Sequence, residues 1–238
     1  MPKVSVIMSV YNGIKFLDRA IRSILCQSEM DFEFIIFDDG STESVWDMID
    51  FFRGDQRIRA FKGVNNKGLT HRLNQCFDLA TGDFIMRMDG DDVSLPHRIK
   101  RQLERFEDGV GFVGCWASSI DANGTNIVHF CDVHCRCSDE DIKTIYPTKL
   151  CMVDASTMYT REAIEKVGYF DPQALTGESY NYNRRVQQFY EGRVAQEILY
   201  LRTVWEGSVM RSKVDSTIDM IALANQRALE CPVIKERP

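Results

Sequence analysis

The sequence lacks an excess of positive charge: 29 Lys and Arg stand against 35 Asp and Glu, for a formal net charge of -6 and a pI near 5.3. That balance argues against a nucleic-acid partner, because binding phosphates calls for a basic face. Long hydrophobic runs are missing too. The apolar stretch from Val4 to Val10 is interrupted by Ser5 and Ser9 and is too short for a signal h-region or a membrane span. The expectation is a cytoplasmic protein, with peripheral membrane association left open. Paired cysteine spacing is also missing: the eight cysteines are scattered, apart from Cys131, Cys135 and Cys137. Without a secretion signal, free thiols are the expected state. The stretch from His129 to Cys137 holds zinc-type ligands, but its crowding does not follow the Cys-x2-Cys and His-x3-His spacing of structural zinc sites.

What is present suits a globular chain. Of 238 residues, 44% are hydrophobic and 27% charged, enough to bury a core in one compact domain or two tightly joined halves. Val4 to Val10 and Phe32 to Phe37 read as buried parallel strands, closed by Asn12-Gly13 and by Asp39-Gly40-Ser41. Between them Ile14, Leu17, Ile21, Ile24 and Leu25 recur at helical spacing, so the opening unit is strand, helix, strand with a right-handed crossover. A helix over 45–52, a short strand at 58–61 and a helical face of Leu69, Leu73, Cys76, Phe77 and Ala80 repeat the pattern. The strand Asp83 to Met88 then delivers the cluster Asp89-Gly90-Asp91-Asp92 to its C-terminal edge. A helix is expected next, with Ser94 as N-cap and Pro96 in its first turn. Beyond Gly111 strands and helices mix less regularly. A last helix is expected over 216–229, its stripe interrupted by Asn225, as a candidate contact for a second copy.

Open α/β sheets bind ligands in the crevice outside the C-terminal ends of their strands, where the acidic cluster is expected. Carboxylates this close repel one another, so they fit a solvated turn or a cation site. An EF-hand loop is excluded, since Val93 and Leu95 follow where oxygen ligands should alternate. One or two carboxylates suit Mn2+ or Mg2+ that completes its shell with phosphate oxygens and water, which implies a diphosphate ligand. At the end of the second strand, Asp38 and Asp39 can cap the following turn. Asp39 can instead accept the imide N–H of uracil. Gly109-Val110-Gly111-Phe112-Val113-Gly114 spells a dinucleotide fingerprint but precedes a strand, so its physical basis is absent. Asn123-Gly124 reads as a hairpin turn.

These segments resemble family two of the inverting glycosyltransferases, which have the GT-A fold. Val4 to Gly13, Asp31 to Thr42, Met86 to Arg98, Ser156-Thr157-Met158 and Arg161 to Asp171 are similar to its motifs in order and spacing, over most of residues 3 to 211. The resemblance implies an α/β fold with a single transferase domain over 1–212, a nucleotide-sugar half at 1–110, an acceptor half at 111–212 and a helical extension at 213–238. It implies that Ser9, Tyr11 and Asp39 hold the nucleoside, Tyr11 by stacking on the base, with Gly68 and Arg72 completing the pocket. Asp89 would bond the ribose, and Asp91 would bind the metal between the phosphates. The implied donor is a nucleotide-sugar, a UDP-sugar by the reading of Asp39, and the acceptor a glycan hydroxyl.

Two departures from the family pattern stand out. The general base of inverting transfer is the Asp of a Glu-Asp pair opening a late helix, and here that pair is Glu178-Ser179. A neutral hydroxyl cannot do that work unaided, which leaves Glu178 as the candidate base. Many relatives carry His where this chain has Trp205. A catalytically degenerate nucleotide-sugar or glycan-binding domain is therefore the alternative. A nucleotidyltransferase is a third reading, but it should show a glycine-rich phosphate loop near the start, and Ser9 to Gly13 is not one.

Overall fold

A computed structural model describes residues 1–127, 136–174, 177–206 and 225–235. Most of the His129 to Cys137 stretch lies outside these residues, as does the first part of the expected C-terminal helix. The N-terminal half alternates β1 (Val4–Val10), α1 (Ile14–Leu25), β2 (Phe32–Asp38), α2 (Val45–Phe52), β3 (Ile58–Lys62), α3 (Leu69–Leu79) and β4 (Phe84–Arg87). Then come β5 (Val93–Ser94), α4 (Arg98–Leu103), the long β6 (Val110–Ile120) and β7 (Asn126–Ile127). The remainder is α5 (Asp139–Thr144), a 3-10 turn at Asp154–Ser156, β8 (Met158–Thr160), α6 (Arg161–Val167), α7 (Glu178–Val186) and β9 (Glu191–Thr203).

One mixed sheet carries the strands in the order β3-β2-β1-β4-β8-β6-β9-β5, with β7 paired to β6. The pairs β1–β2, β1–β4 and β2–β3 are parallel, whereas β8 runs antiparallel to both β4 and β6. Side chains of β1 alternate between two cores. Val6 and Met8 face Leu17, Ile21, Ile24 and Ile49, while Ile7 joins Ile35, Leu73 and Phe77 beneath α3. A strand covered on both faces cannot alternate apolar and polar residues, which is why its sequence is an apolar run. The Asp121 to Gly124 turn between β6 and β7 is a hairpin turn as expected: Gly124 N donates to Asp121 O at 3.0 Å.

The expected N-cap at Ser94 is overturned. Ser94 belongs to β5, which pairs antiparallel with Tyr200 and Leu201 of β9, and Leu95 N continues the pairing to Leu199 O at 2.9 Å. The backbone therefore stays extended up to Pro96, as residues before proline prefer, and α4 begins only at Arg98 with His97 in the cap position. Among the described residues, no helix is long and apolar enough to cross a membrane.

Near the C-terminus, residues 225–230 are helical. Asn225, which interrupts the apolar stripe in sequence, is the residue that docks this helix. Its Nδ2 donates to Pro147 O at 2.6 Å, and its Oδ1 accepts from Arg184 Nε at 2.8 Å.

Candidate active site

Because β1, β2 and β4 are parallel neighbours, their C-terminal ends at Val10, Asp38 and Arg87 open on one edge. The loops after β1 and β2 are locked together by Asn12, which takes a positive φ of 57°. Its side-chain oxygen accepts from Thr42 N at 2.9 Å and its own N–H donates to Ser41 Oγ at 2.9 Å. Ser9 is half-buried at the end of β1, and Tyr11 stands 48% exposed just beyond it, free to present its ring to a flat ligand.

Asp39, Gly68 and Arg72 converge. The Asp39 carboxylate is 2% exposed and accepts from Lys67 N at 2.9 Å and Arg72 Nε at 2.5 Å through Oδ1, and from Gly68 N at 2.8 Å through Oδ2. Arg72 is held in turn by Asn65 O and Gln75 Oε1, with its guanidinium 4.5 Å from the centre of the Phe37 ring. Gly40 is required for this close approach: a Cβ there would lie 2.6 Å from the Asn65 backbone, and its φ is +71°. A carboxylate offers about four lone-pair sites, so Asp39 retains acceptor capacity on Oδ2.

The acidic cluster divides into three environments. Asp89, partly exposed, pairs with Arg87 Nη2 at 3.1 Å. Asp91 accepts from the indole Nε1 of Trp205 at 3.0 Å through Oδ2. Asp92 is 4% exposed and accepts from Tyr200 OH at 2.6 Å and Thr203 N at 2.8 Å. Asp92 is therefore clasped by β9. Burial, followed by the charge of Asp89, pushes the Asp91 carboxyl above the usual carboxylate range. Burial pushes Asp92 well above it, with Asp91 and Asp89 adding to the effect.

Burial and the neighbouring carboxylates both disfavour the charged forms of Asp91 and Asp92, a cost that a divalent cation would relieve. Among the described residues, no three His, Cys, Asp or Glu side chains converge to cage an ion. Asp91 Oδ1 meets no donor from another described residue. The donor set thus fits a cation held by one carboxylate and completed by phosphate and water, in the manner of Mn2+ or Mg2+.

Two features of this edge were not legible in the motifs. Arg87 is 4% exposed and holds Glu178 Oε1 at 3.0 Å, the Ser179 hydroxyl through the same nitrogen, and Asp89. Burial opposes its charge, but Asp89 and Glu178 more than restore it, so its pKa is raised. Its Nε is buried with no partner among the described residues. Asp154, half-buried in the 3-10 turn, accepts from Tyr146 OH at 2.8 Å, and burial pushes its carboxyl up to about 7. The only sequence signal for Asp154 is a single acid within the otherwise apolar stretch Cys151 to Ala155.

Residues 5–168 match the family described as Glycosyl transferase family 2. The chain belongs to that family. It is 42% identical over 108 residues to the putative glycosyltransferase EpsE of Bacillus subtilis, covering 44% of this chain and 39% of that protein. It is 35% identical over 177 residues to an uncharacterized glycosyltransferase of Nostoc sp., covering 71% of this chain and 54% of that protein. The chain thus spans about two fifths to just over half of these relatives' length. Among solved structures, it superimposes on S. aureus TarS 1-349 in complex with UDP-GlcNAc with a TM-score of 0.73 at 17% identity, over 98% of this chain and 68% of that one. The mannosyltransferase PcManGT of Pyrobaculum calidifontis, in complex with GDP-Man and Mn2+, gives 0.73 at 14% identity, over 100% of this chain and 66% of that one. The family two domain has the α/β GT-A fold that its motifs imply.

Proposed function

We propose that this family two domain transfers a sugar from a UDP-sugar to a glycan hydroxyl, with inversion at the anomeric carbon and with Mn2+ or Mg2+ on the diphosphate. The observation that carries the reading is the meeting of two half-sites on one strand edge. The Asp39–Gly68–Arg72 pocket keeps a carboxylate lone pair for a base N–H, and the Asp89–Asp91 turn follows β4 on the same edge, across β1 from it. Ser9 and Tyr11 flank the nucleoside, Tyr11 stacks on the base and Asp89 takes a ribose hydroxyl. Asp91 would hold the metal, which would supply Lewis-acid stabilisation of the departing diphosphate. The fold shared with proteins crystallised with UDP-GlcNAc and with GDP-Man and Mn2+ supports a nucleotide-sugar donor.

Calorimetric titration with UDP, GDP and dTDP, with and without Mn2+, tests the donor site. UDP is expected to bind tightest and to need the metal, and Asp91→Ala is expected to remove the metal-dependent part. If no nucleoside diphosphate binds, the reading is wrong. A binding domain without turnover is the second reading. It is favoured by Ser179, fully buried against Arg87 in the position of the family's base. Hydrolysis of a bound donor separates the two.

A further inference from the structure

If the domain turns over its donor, some group must take the acceptor's proton, and both residues of the Glu178-Ser179 pair are engaged by Arg87. Glu178 and Ser179 both face the same nitrogen of Arg87. We propose that Asp154 is the general base, its unengaged Oδ2 taking the proton of the attacking hydroxyl. The proposal rests on the transferase reading above.

The turn that carries Asp154 is fastened to the donor edge. Arg87 N donates to Thr157 O at 3.0 Å, at the point where β4 gives way to the acidic cluster. The fully buried Arg98 bridges the same two segments, its Nη2 donating to Arg87 O at 2.8 Å and to Ala155 O at 3.1 Å. Asp154 is thereby held beside Arg87 and Asp89 rather than on a wandering loop.

Its carboxylate is also aimed. Tyr159 OH donates to Asn183 Oδ1 at 2.7 Å, Asn183 Nδ2 donates to Tyr146 OH at 2.9 Å, and Tyr146 OH donates to Asp154 Oδ1 at 2.8 Å. Each donor in that relay is committed, so Oδ1 is pinned. Oδ2 accepts no hydrogen bond and Asp154 forms no ion pair among the described residues. The charged and titratable groups that face it are Arg87 and Asp89, Glu178 and Tyr180 of α7, Tyr146, and Tyr159 of β8. Burial raises its proton affinity, with Glu178 and Asp89 adding and Tyr146 and Arg87 opposing, to a value of about 7. A base is most effective when its pKa lies near the working pH.

The step balances within the site. The acceptor oxygen uses a lone pair to bond the anomeric carbon while its proton passes to Asp154 Oδ2. The bond from that carbon to the β-phosphate oxygen breaks, and its electron pair leaves on the nucleoside diphosphate. Asp154 ends neutral and returns the proton to solvent. Water can stand in for the acceptor, giving donor hydrolysis.

The test follows hydrolysis of UDP-GlcNAc, UDP-glucose and UDP-galactose between about pH 5 and 9, alongside UDP binding by calorimetry. Parent turnover is expected to fall on the acid side with a midpoint near the value of about 7 given for Asp154. Asp154→Asn is expected to lose roughly 100-fold or more in kcat with UDP affinity unchanged, which also reports an intact fold. Tyr146→Phe is expected to lower turnover near neutral pH by less than Asp154→Asn does and to move the acid limb to higher pH, because the hydrogen bond it removes favours the ionised carboxylate. Equal turnover by parent and Asp154→Asn overturns the base alone. A parent that binds no UDP, or that binds it and turns over no donor, overturns the transferase reading and the base with it.

Discussion

The indole N–H of Trp205 donates to Oδ2 of Asp91 at 3.0 Å, so the carboxylate proposed to hold the metal is braced by a side chain that can only donate. Phe16 packs against the indole with ring centres 5.2 Å apart, which holds the Trp205 ring in place. A histidine here could turn a nitrogen lone pair toward a cation. Trp205 cannot, and its hydrogen bond offsets part of the burial that raises the Asp91 pKa.

Trp205→His is therefore expected to strengthen the metal-dependent part of UDP binding by about tenfold, within the range seen when groups around a metal ligand change. Trp205→Phe should act in the opposite sense. Without the N–H, Asp91 holds its proton more strongly, so metal-dependent binding weakens, and more so toward acid pH. UDP titrations with Mn2+ over a series of pH values read the two variants, and identical binding in all three proteins would remove Trp205 from the metal's surroundings.

Asp39→Asn should damage both the fold and the pocket proposed for the nucleoside. Asp39 and Arg72 are 2% and 3% exposed, and the two amides of Lys67 and Gly68 also depend on that carboxylate. Removing one partner of a buried ion pair costs about 3–5 kcal/mol. A drop in Tm of about 10 °C is expected, with loss of UDP binding. A variant that melts like the parent would show that the pair contributes little.

Much of this site could be read from the chain, because the strand-helix-strand unit and its turn residues are local signals. Apolar runs, helical spacing and Asn12-Gly13 all act within a few residues of themselves. What could not be read depends on pairing at long range. Ser94 looks like an N-cap until Tyr200 and Leu201 are known to lie beside it, and Asp92 looks like a turn residue until Tyr200 and Thr203 clasp it. Asp154 reaches the edge that carries Arg87 and Asp89 only because β8 inserts between β4 and β6, out of chain order. No spacing rule carries that information.

Glu178→Gln separates the two candidate bases. Glu178 is paired with Arg87 at 3.0 Å, so the substitution frees the guanidinium to lean on Asp89 and Asp154. Turnover is expected to fall by less than in Asp154→Asn, and the acid limb should remain. Loss of the limb in Glu178→Gln, with UDP binding intact, would assign the proton transfer to Glu178.

The raised value for Asp154 also predicts how stability depends on pH, independently of any donor. A carboxyl at about 7 in the folded chain and near 3.8 in the unfolded chain binds a proton more readily when folded. Where the folded state holds more protons, stability falls as pH rises. The Asp154 contribution is thus complete below the unfolded value, decreases through the interval between the two values, and is gone above about 7. Asp91 and Asp92 are shifted in the same direction, so the parent's own Tm curve sums several groups. The difference between parent and Asp154→Asn isolates one. Asn cannot ionise, so the variant should gain stability relative to the parent as pH rises from about 5 to 8 and reach a constant difference above that. Melting curves across this range read it directly, and a difference that does not change with pH would mean that Asp154 titrates normally in the folded protein.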